Sequence, residues 1–234
     1  MPFDPAQLRI DGSALKDIAR IGLPAGFQSS LYSLSNVTIQ SAINSMGGVV
    51  MAGSGAASNI GGFIYTSANA FYQSTLTFAS QNLGAGKTDR VDKVVRWNLL
   101  FAITIPTAVG LATYFGGPWL LTLYTDTPEV IREGMVRMLW ISSFYGVCGI
   151  MEVFTGVLRA MGYSTVTLIT TMLGSCGLRL VWVATVFPLF QTPQSLFVCY
   201  PITWGVTALV QMVCFFILRP RTYAKIREKA ELQA

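Results

Sequence analysis

The sequence predicts an all-α fold: a polytopic membrane bundle of six transmembrane helices. Three observations lead there. Of the 234 residues, 52% are hydrophobic and only 12% are charged, roughly half the charge share of a soluble domain. The charges are also clustered, with none between Ile21 and Gly86, between Trp97 and Thr125, or between Leu180 and Leu218. Finally, the long apolar runs show no strict alternation. A run of about 20 apolar residues crosses the hydrocarbon core as a helix. Lipid offers bare backbone no hydrogen-bond partner, so a crossing is either a helix or a strand of a closed barrel. Without alternation, the helix is selected.

The six crossings are expected at 18–46, 51–82, 94–115, 130–158, 165–187 and 196–218. The first opens on Pro24, inside Gly22-Leu23-Pro24-Ala25-Gly26, where Gly22 and Gly26 form a small-xxx-small pair suited to close packing. The first two are weakly hydrophobic and rich in Gly, Ser, Asn and Gln. Pro106 falls mid-way in the third and predicts a kink, and Pro201 predicts another early in the sixth. With short connections and no internal repeat, the six read as one bundle over 18–218. A cytoplasmic N-terminal segment, 1–17, precedes it, and an amphipathic cytoplasmic tail, 219–234, follows it. The first 20 residues are polar and do not resemble a cleavable signal.

Sidedness follows from the basic residues. One side receives Arg9, Lys16 and Arg20, then Lys87, Arg90 and Lys93, then Arg159, then Arg219, Arg221 and Lys225. The opposite connections, 46–51, 116–128 and 188–195, carry no Lys or Arg. The positive-inside rule places both termini in the cytoplasm. Arg132 dissents at the outer start of the fourth helix, where a long side chain snorkels to the interface. Arg137 lies deeper. The net charge of +5 thus reflects helix anchors rather than a nucleic-acid surface. Cys148, Cys176, Cys199 and Cys214 are scattered through apolar segments without metal-ligand spacing, and read as small buried side chains.

The strongest functional signal is a pair of polar stripes. Ser29, Ser33, Asn36, Gln40 and Asn44 recur at spacings of three and four on the first helix, and so do Tyr65, Asn69, Gln73, Thr77 and Ser80 on the second. Such spacing puts each set on one face. Polar groups are costly against lipid, so the stripes face protein or water. One reading makes them the lining of a substrate cavity. The other makes them interhelical hydrogen bonds that hold the bundle.

Three charges are expected within the membrane: Arg137, Glu152 and Arg179. Intramembrane ionisable groups mark pathways or pairs. Counting along the helices separates Glu152 from Arg179 in depth, so their contact would need a tilt or a break. Glu152 and Arg159 share a face at i, i+7. Glu152 is the candidate for ion coupling, and Arg179 is singled out as an intramembrane charge. No catalytic residue, metal site or organic cofactor is expected. The sequence has no His, no predicted core helix contains Asp, and Gly84-Ala85-Gly86-Lys87-Thr88 lacks the opening glycine and the strand of a nucleotide-binding loop.

Three segments carry a family resemblance. The run Ile21-Gly22-Leu23-Pro24-Ala25-Gly26-Phe27-Gln28-Ser29-Ser30, continuing through Asn36, Gln40, Asn44 and Gly47, resembles the start of the second lobe in multidrug and toxic-compound extrusion (MATE) transporters. Phe78-Ala79-Ser80-Gln81-Asn82-Leu83-Gly84-Ala85-Gly86-Lys87, with Arg90, resembles the segment closing the next helix. Gly156-Val157-Leu158-Arg159-Ala160-Met161-Gly162 resembles a motif ending a later one. The resemblance implies one six-helix MATE-type lobe in a bacterial plasma (inner) membrane. It implies efflux of drugs or other small organic solutes, cationic ones among them, in exchange for H⁺ or Na⁺. It also implies a second six-helix lobe as partner, either another copy or a missing N-terminal half. Phe27, Tyr65, Phe71 and Tyr72 are candidate aromatic contacts. Two alternatives stand beside it. A flippase for lipid-linked saccharides would need a more cationic cavity than Arg179 alone provides. A truncated, non-transporting membrane fragment would need no cavity.

Overall fold

The structure, a computed structural model, describes residues 12–231. The surroundings of 16–29 lie outside that description, and with them the expected roles of Gly22, Pro24, Gly26, Phe27 and Ser29.

The described residues form eleven α-helices and no strand: α1 (Gly12–Ser45), α2 (Gly48–Gly84), α3 (Thr88–Phe115), α4 (Gly117–Thr122), α5 (Pro128–Ile141), α6 (Tyr145–Ala160), α7 (Ser164–Thr171), α8 (Leu178–Thr185), α9 (Phe187–Phe190), α10 (Pro193–Phe197) and α11 (Cys199–Glu231). These compose the six expected long stretches. Four of them, Thr88–Phe115, Pro128–Ala160, Ser164–Phe190 and Pro193–Ile226, are long and apolar enough to cross a membrane. α1 and α2 are as long but more polar. The outside of the bundle is apolar: Ile103, Ile105 and Val109 of α3 and Leu209, Val213 and Phe216 of α11 are exposed, as suits a lipid boundary.

Several details differ from the expectation. The fourth stretch is broken by a 3-10 turn at Ser142–Phe144, and the fifth by a π-helical turn at Met172–Gly177. The connection after α3 holds the short α4. Pro201 does not kink a helix interior. It lies in the first turn of α11, where a missing N–H costs nothing, and the interruption falls at Val198. α11 also continues through Pro220 to Glu231 rather than ending at Leu218.

Glycines set how closely the helices approach. A side chain on Gly53 of α2 would strike the Val130 carbonyl of α5, and one on Gly110 of α3 would strike the Ser142 carbonyl. Pro106 lies inside α3, which remains a single helix through it. A proline deprives the carbonyl four residues earlier of its donor, here that of Ala102. Gly149 of α6 packs against this same Ala102 carbonyl. Small residues thus bring backbones together where lipid supplies no hydrophobic drive. α6 sits in the centre against α2, α3 and α11, and is buried almost along its whole length.

Two connections end helices in the same way. Lys87 N–H bonds Asn82 O at 2.9 Å and Gly86 N–H bonds Leu83 O at 3.1 Å; Tyr163 N–H bonds Leu158 O and Gly162 N–H bonds Arg159 O, both at 2.9 Å. This Schellman pairing needs a left-handed residue, and Gly86 (φ 72°) and Gly162 (φ 87°) supply it. At this end of the bundle Arg219 pairs with Asp92, whose other oxygen accepts from Tyr223 Oη at 2.9 Å.

Candidate functional site

α6 carries Glu152 into the middle of the bundle, 9% exposed. Opposite it on α2, Tyr65 directs its hydroxyl to Glu152 Oε1 at 3.5 Å, the far limit of a hydrogen bond. Two cavities meet at this pair. The larger, of about 480 Å³, is lined by Asn36 and Gln40 of α1, Arg137 of α5, Arg179 of α8, and Tyr200 and Trp204 of α11. The smaller, of about 350 Å³, is lined by Asn69 and Tyr72 of α2, Thr155 and Arg159 of α6, and Thr171 of α7. Tyr32, Tyr65, Met151 and Glu152 line both.

The two arginines of the larger cavity are held differently. Arg137 donates from Nη1 to Ser54 Oγ at 2.8 Å and from Nη2 to Ser58 Oγ at 3.3 Å. Its guanidinium lies 5.3 Å from the centre of the Phe197 ring and 6.0 Å from that of Tyr200. Arg179 is 4% exposed, its guanidinium lies 4.2 Å from the centre of the Tyr200 ring, and its Nε has no hydrogen-bond partner. The π-helical turn ends two residues before it, at Gly177; such turns recur at functional sites. Ion pairs among the described residues join Arg132 to Glu133 and Arg219 to Asp92, so neither cavity arginine is paired with a carboxylate there.

The expected site residues divide. Asn36, Gln40 and Tyr65 line the larger cavity and Asn69 the smaller. Asn44 accepts from Gln40 Nε2 at 2.9 Å, and neither it nor Gln73 lines either cavity. Among the aromatic candidates Tyr72 joins the smaller cavity, whereas Phe71 belongs to an outer groove beside Phe78 and Trp97. Glu152 and Arg179 share the larger cavity without an ion pair. Arg159 is occupied by Tyr72 Oη at 2.8 Å and Thr167 Oγ1 at 3.3 Å. Arg179 is not alone in the cavity, because Arg137 reaches the same space. Ser54 and Ser58, one turn apart on α2, were the available signal for that partner. Tyr32, Tyr200 and Trp204 were not anticipated. Their signal was weak, since an aromatic in an apolar helix is ordinarily packing.

Residues 24–185 match the family model described as MatE. The chain belongs to the MatE family. Among curated relatives, this MatE chain is 28% identical over 180 residues to a probable multidrug resistance protein, YpnP, of Bacillus subtilis, covering 76% of this chain and 40% of that protein. It is 24% identical over 217 residues to an FAD transporter of Shewanella oneidensis, covering 92% of this chain and 46% of that protein. A mutant of the Vibrio cholerae MATE transporter VcmN shares the fold, with a TM-score of 0.80 and 20% identity over 95% of this chain and 51% of that one. The MatE chain thus spans about half, or less, of the length of these relatives. The family is one of multi-pass membrane transporters rather than of enzymes.

Proposed function

We propose that this chain is one six-helix lobe of a cation-coupled antiporter, exchanging H⁺ or Na⁺ for small organic solutes. The observation that carries the reading is Glu152, a single carboxyl that walls both cavities. A cation bound there faces solute in either compartment. Multidrug resistance and FAD transport, in the names of the relatives above, support a small organic cargo. Alternating access requires one bundle to rock against another, so a second lobe completes the machine, as another copy of this chain or as a first-half partner. The lobe sits in the bacterial plasma membrane with both termini cytoplasmic. That sidedness is supported by the basic helix ends, where Asp92, Arg219 and Tyr223 meet beside the Lys87 turn.

The test is efflux of a fluorescent dye from cells expressing the chain, alone or with a first-lobe partner, against an empty vector. The expected result is efflux that collapses with the ion gradient and with Glu152→Gln. Efflux that outlasts the gradient overturns the coupling, and no efflux in either pairing overturns the transport role.

A second reading, flipping of lipid-linked saccharides, gains from one observation. Two arginines rather than one face the larger cavity, and the linking phosphates of such a lipid are anionic.

A further inference from the structure

The larger cavity contains two fixed cations and one carboxyl, and the arrangement of the cations is specific. Tyr200 lies near both, with the Arg179 guanidinium 4.2 Å and that of Arg137 6.0 Å from its ring centre. Ser54 and Ser58 fix Arg137 through neutral hydroxyls, which orient the group and leave its charge uncompensated. Arg179 is more than nine-tenths buried, with Nε unbonded. Burying an arginine in a membrane bundle is expensive, and leaving a donor unmet adds to the cost. A guanidinium meets a carboxylate or phosphate through two parallel hydrogen bonds, so an anion is the chemistry that answers the uncompensated charge. Part of the wall is aromatic: Trp204 packs at 5.7 Å from Tyr200 and at 5.4 Å from Tyr145, ring centre to ring centre.

We propose that the Arg137–Tyr200–Arg179 cluster is an anion-recognition subsite, and that the solute it selects is a small aromatic molecule bearing a carboxylate or phosphate. The anionic group sits between the two guanidiniums, and the ring lies along Tyr200 and Trp204. Ser54 and Ser58 are positioning residues that aim Arg137. Glu152, on the same cavity, repels such a solute while charged and admits it once neutralised by a cation. This inference rests on the transport reading above and narrows its cargo from organic solutes in general to aromatic anions.

The test uses the purified full chain in lipid nanodiscs and three probes. Carboxyfluorescein is an aromatic anion, rhodamine 123 is a cation on a similar ring system, and farnesyl pyrophosphate is an anion without a ring. Dye binding is read by fluorescence anisotropy, and the pyrophosphate by its displacement of bound dye. The expected result is carboxyfluorescein bound about 10-fold or more tighter than the other two, with Arg137→Gln and Arg179→Gln each weakening it about 10-fold. Comparison of the three probes on the unmodified chain needs no variant to fold. Arg179→Lys keeps the charge and loses the fork, and is expected to fall between Arg179→Gln and the unmodified chain. Equal binding of the two dyes, or carboxyfluorescein binding indifferent to both arginines, overturns the subsite. Tighter binding of farnesyl pyrophosphate overturns the aromatic class and moves the cluster to a lipid-linked anion. Tighter binding of rhodamine 123, lost in Glu152→Gln, overturns the anion class but leaves the transport cavity standing. No binding of any probe overturns both.

Discussion

Tyr65 of α2 and Glu152 of α6 approach to 3.5 Å, hydroxyl to carboxyl oxygen, and both side chains line the two cavities at once. The contact lies at the far limit of a hydrogen bond, so Tyr65 orients the Glu152 carboxyl only weakly.

The first prediction concerns that pair. In membranes where the chain supports efflux, Glu152→Gln is expected to flatten the dependence of rate on external pH or Na⁺. Tyr65→Phe removes only the weak contact and is expected to lower the rate by less than about 5-fold, since one neutral hydrogen bond contributes about 1 kcal/mol. Rate measured in inverted vesicles across a pH series decides it. An unaltered profile in Glu152→Gln removes this residue from coupling.

The polar stripe of α2 gives a second, internally controlled prediction. Asn69 lines the smaller cavity, and Gln73, one turn on, lines neither. Asn69→Leu is expected to lower efflux about 10-fold, the loss of one hydrogen-bonding group facing the solute path. Gln73→Leu is expected to leave it within about 2-fold, as a surface change outside the cavity does. Immunoblots of the membrane fraction establish equal insertion. Equal losses would mean that the stripe acts as a whole, through packing.

That contrast shows what was legible in the sequence and what was not. Charge-free runs located the helices because a membrane crossing tolerates few charges, and spacing identified the polar faces of α1 and α2. Spacing alone, however, treats Asn69 and Gln73 alike. They part because Gly156 of α6 sits against the backbone of Tyr72 and the side chain of Thr75, and this close contact fixes where α6 covers α2. Arg137 and Arg179 looked unrelated for a similar reason. The 3-10 turn at Ser142–Phe144 and the π-helical turn at Met172–Gly177 change the phase of two helices, and no local residue pattern announces either turn. Asn44, assigned to the cavity by periodicity, accepts from Gln40 one turn back on its own helix and is not among the residues lining either cavity.

A third prediction tests the glycine contacts. Gly149→Val is expected to destabilise the bundle by about 1–3 kcal/mol, the range for overpacking a close contact. Gly55→Ala, where nothing lies within 4 Å, is expected to be neutral or to stabilise by up to about 1 kcal/mol through helix propensity. Thermal unfolding in detergent, read as Tm, separates them. Equal Tm values would mean that the α3–α6 contact yields easily.

The fourth prediction addresses the Asp92 end of the bundle. Asp92 holds both Arg219 and Tyr223, tying α3 to α11. Arg219→Ala is expected to lower stability by about 0.5–1 kcal/mol, in keeping with a partly exposed pair, and the loss is expected to shrink in high salt. Asp92→Ala removes both contacts and is expected to cost more than Arg219→Ala. A Tm series at two ionic strengths measures this, and a salt-independent loss would identify packing of the arginine stem as the cause.

Pro106 and Gly149 stand on different helices, and the Ala102 carbonyl lies between them. The proline withholds a partner from that oxygen, and the glycine leaves room to approach it. Neither position is therefore free to drift alone. A side chain at 149 collides with the oxygen, and a residue with an N–H at 106 draws the oxygen back into its own helix. Over many generations of substitution the two sites should change together or stay together, so a pair far apart in the chain carries a shared inheritance.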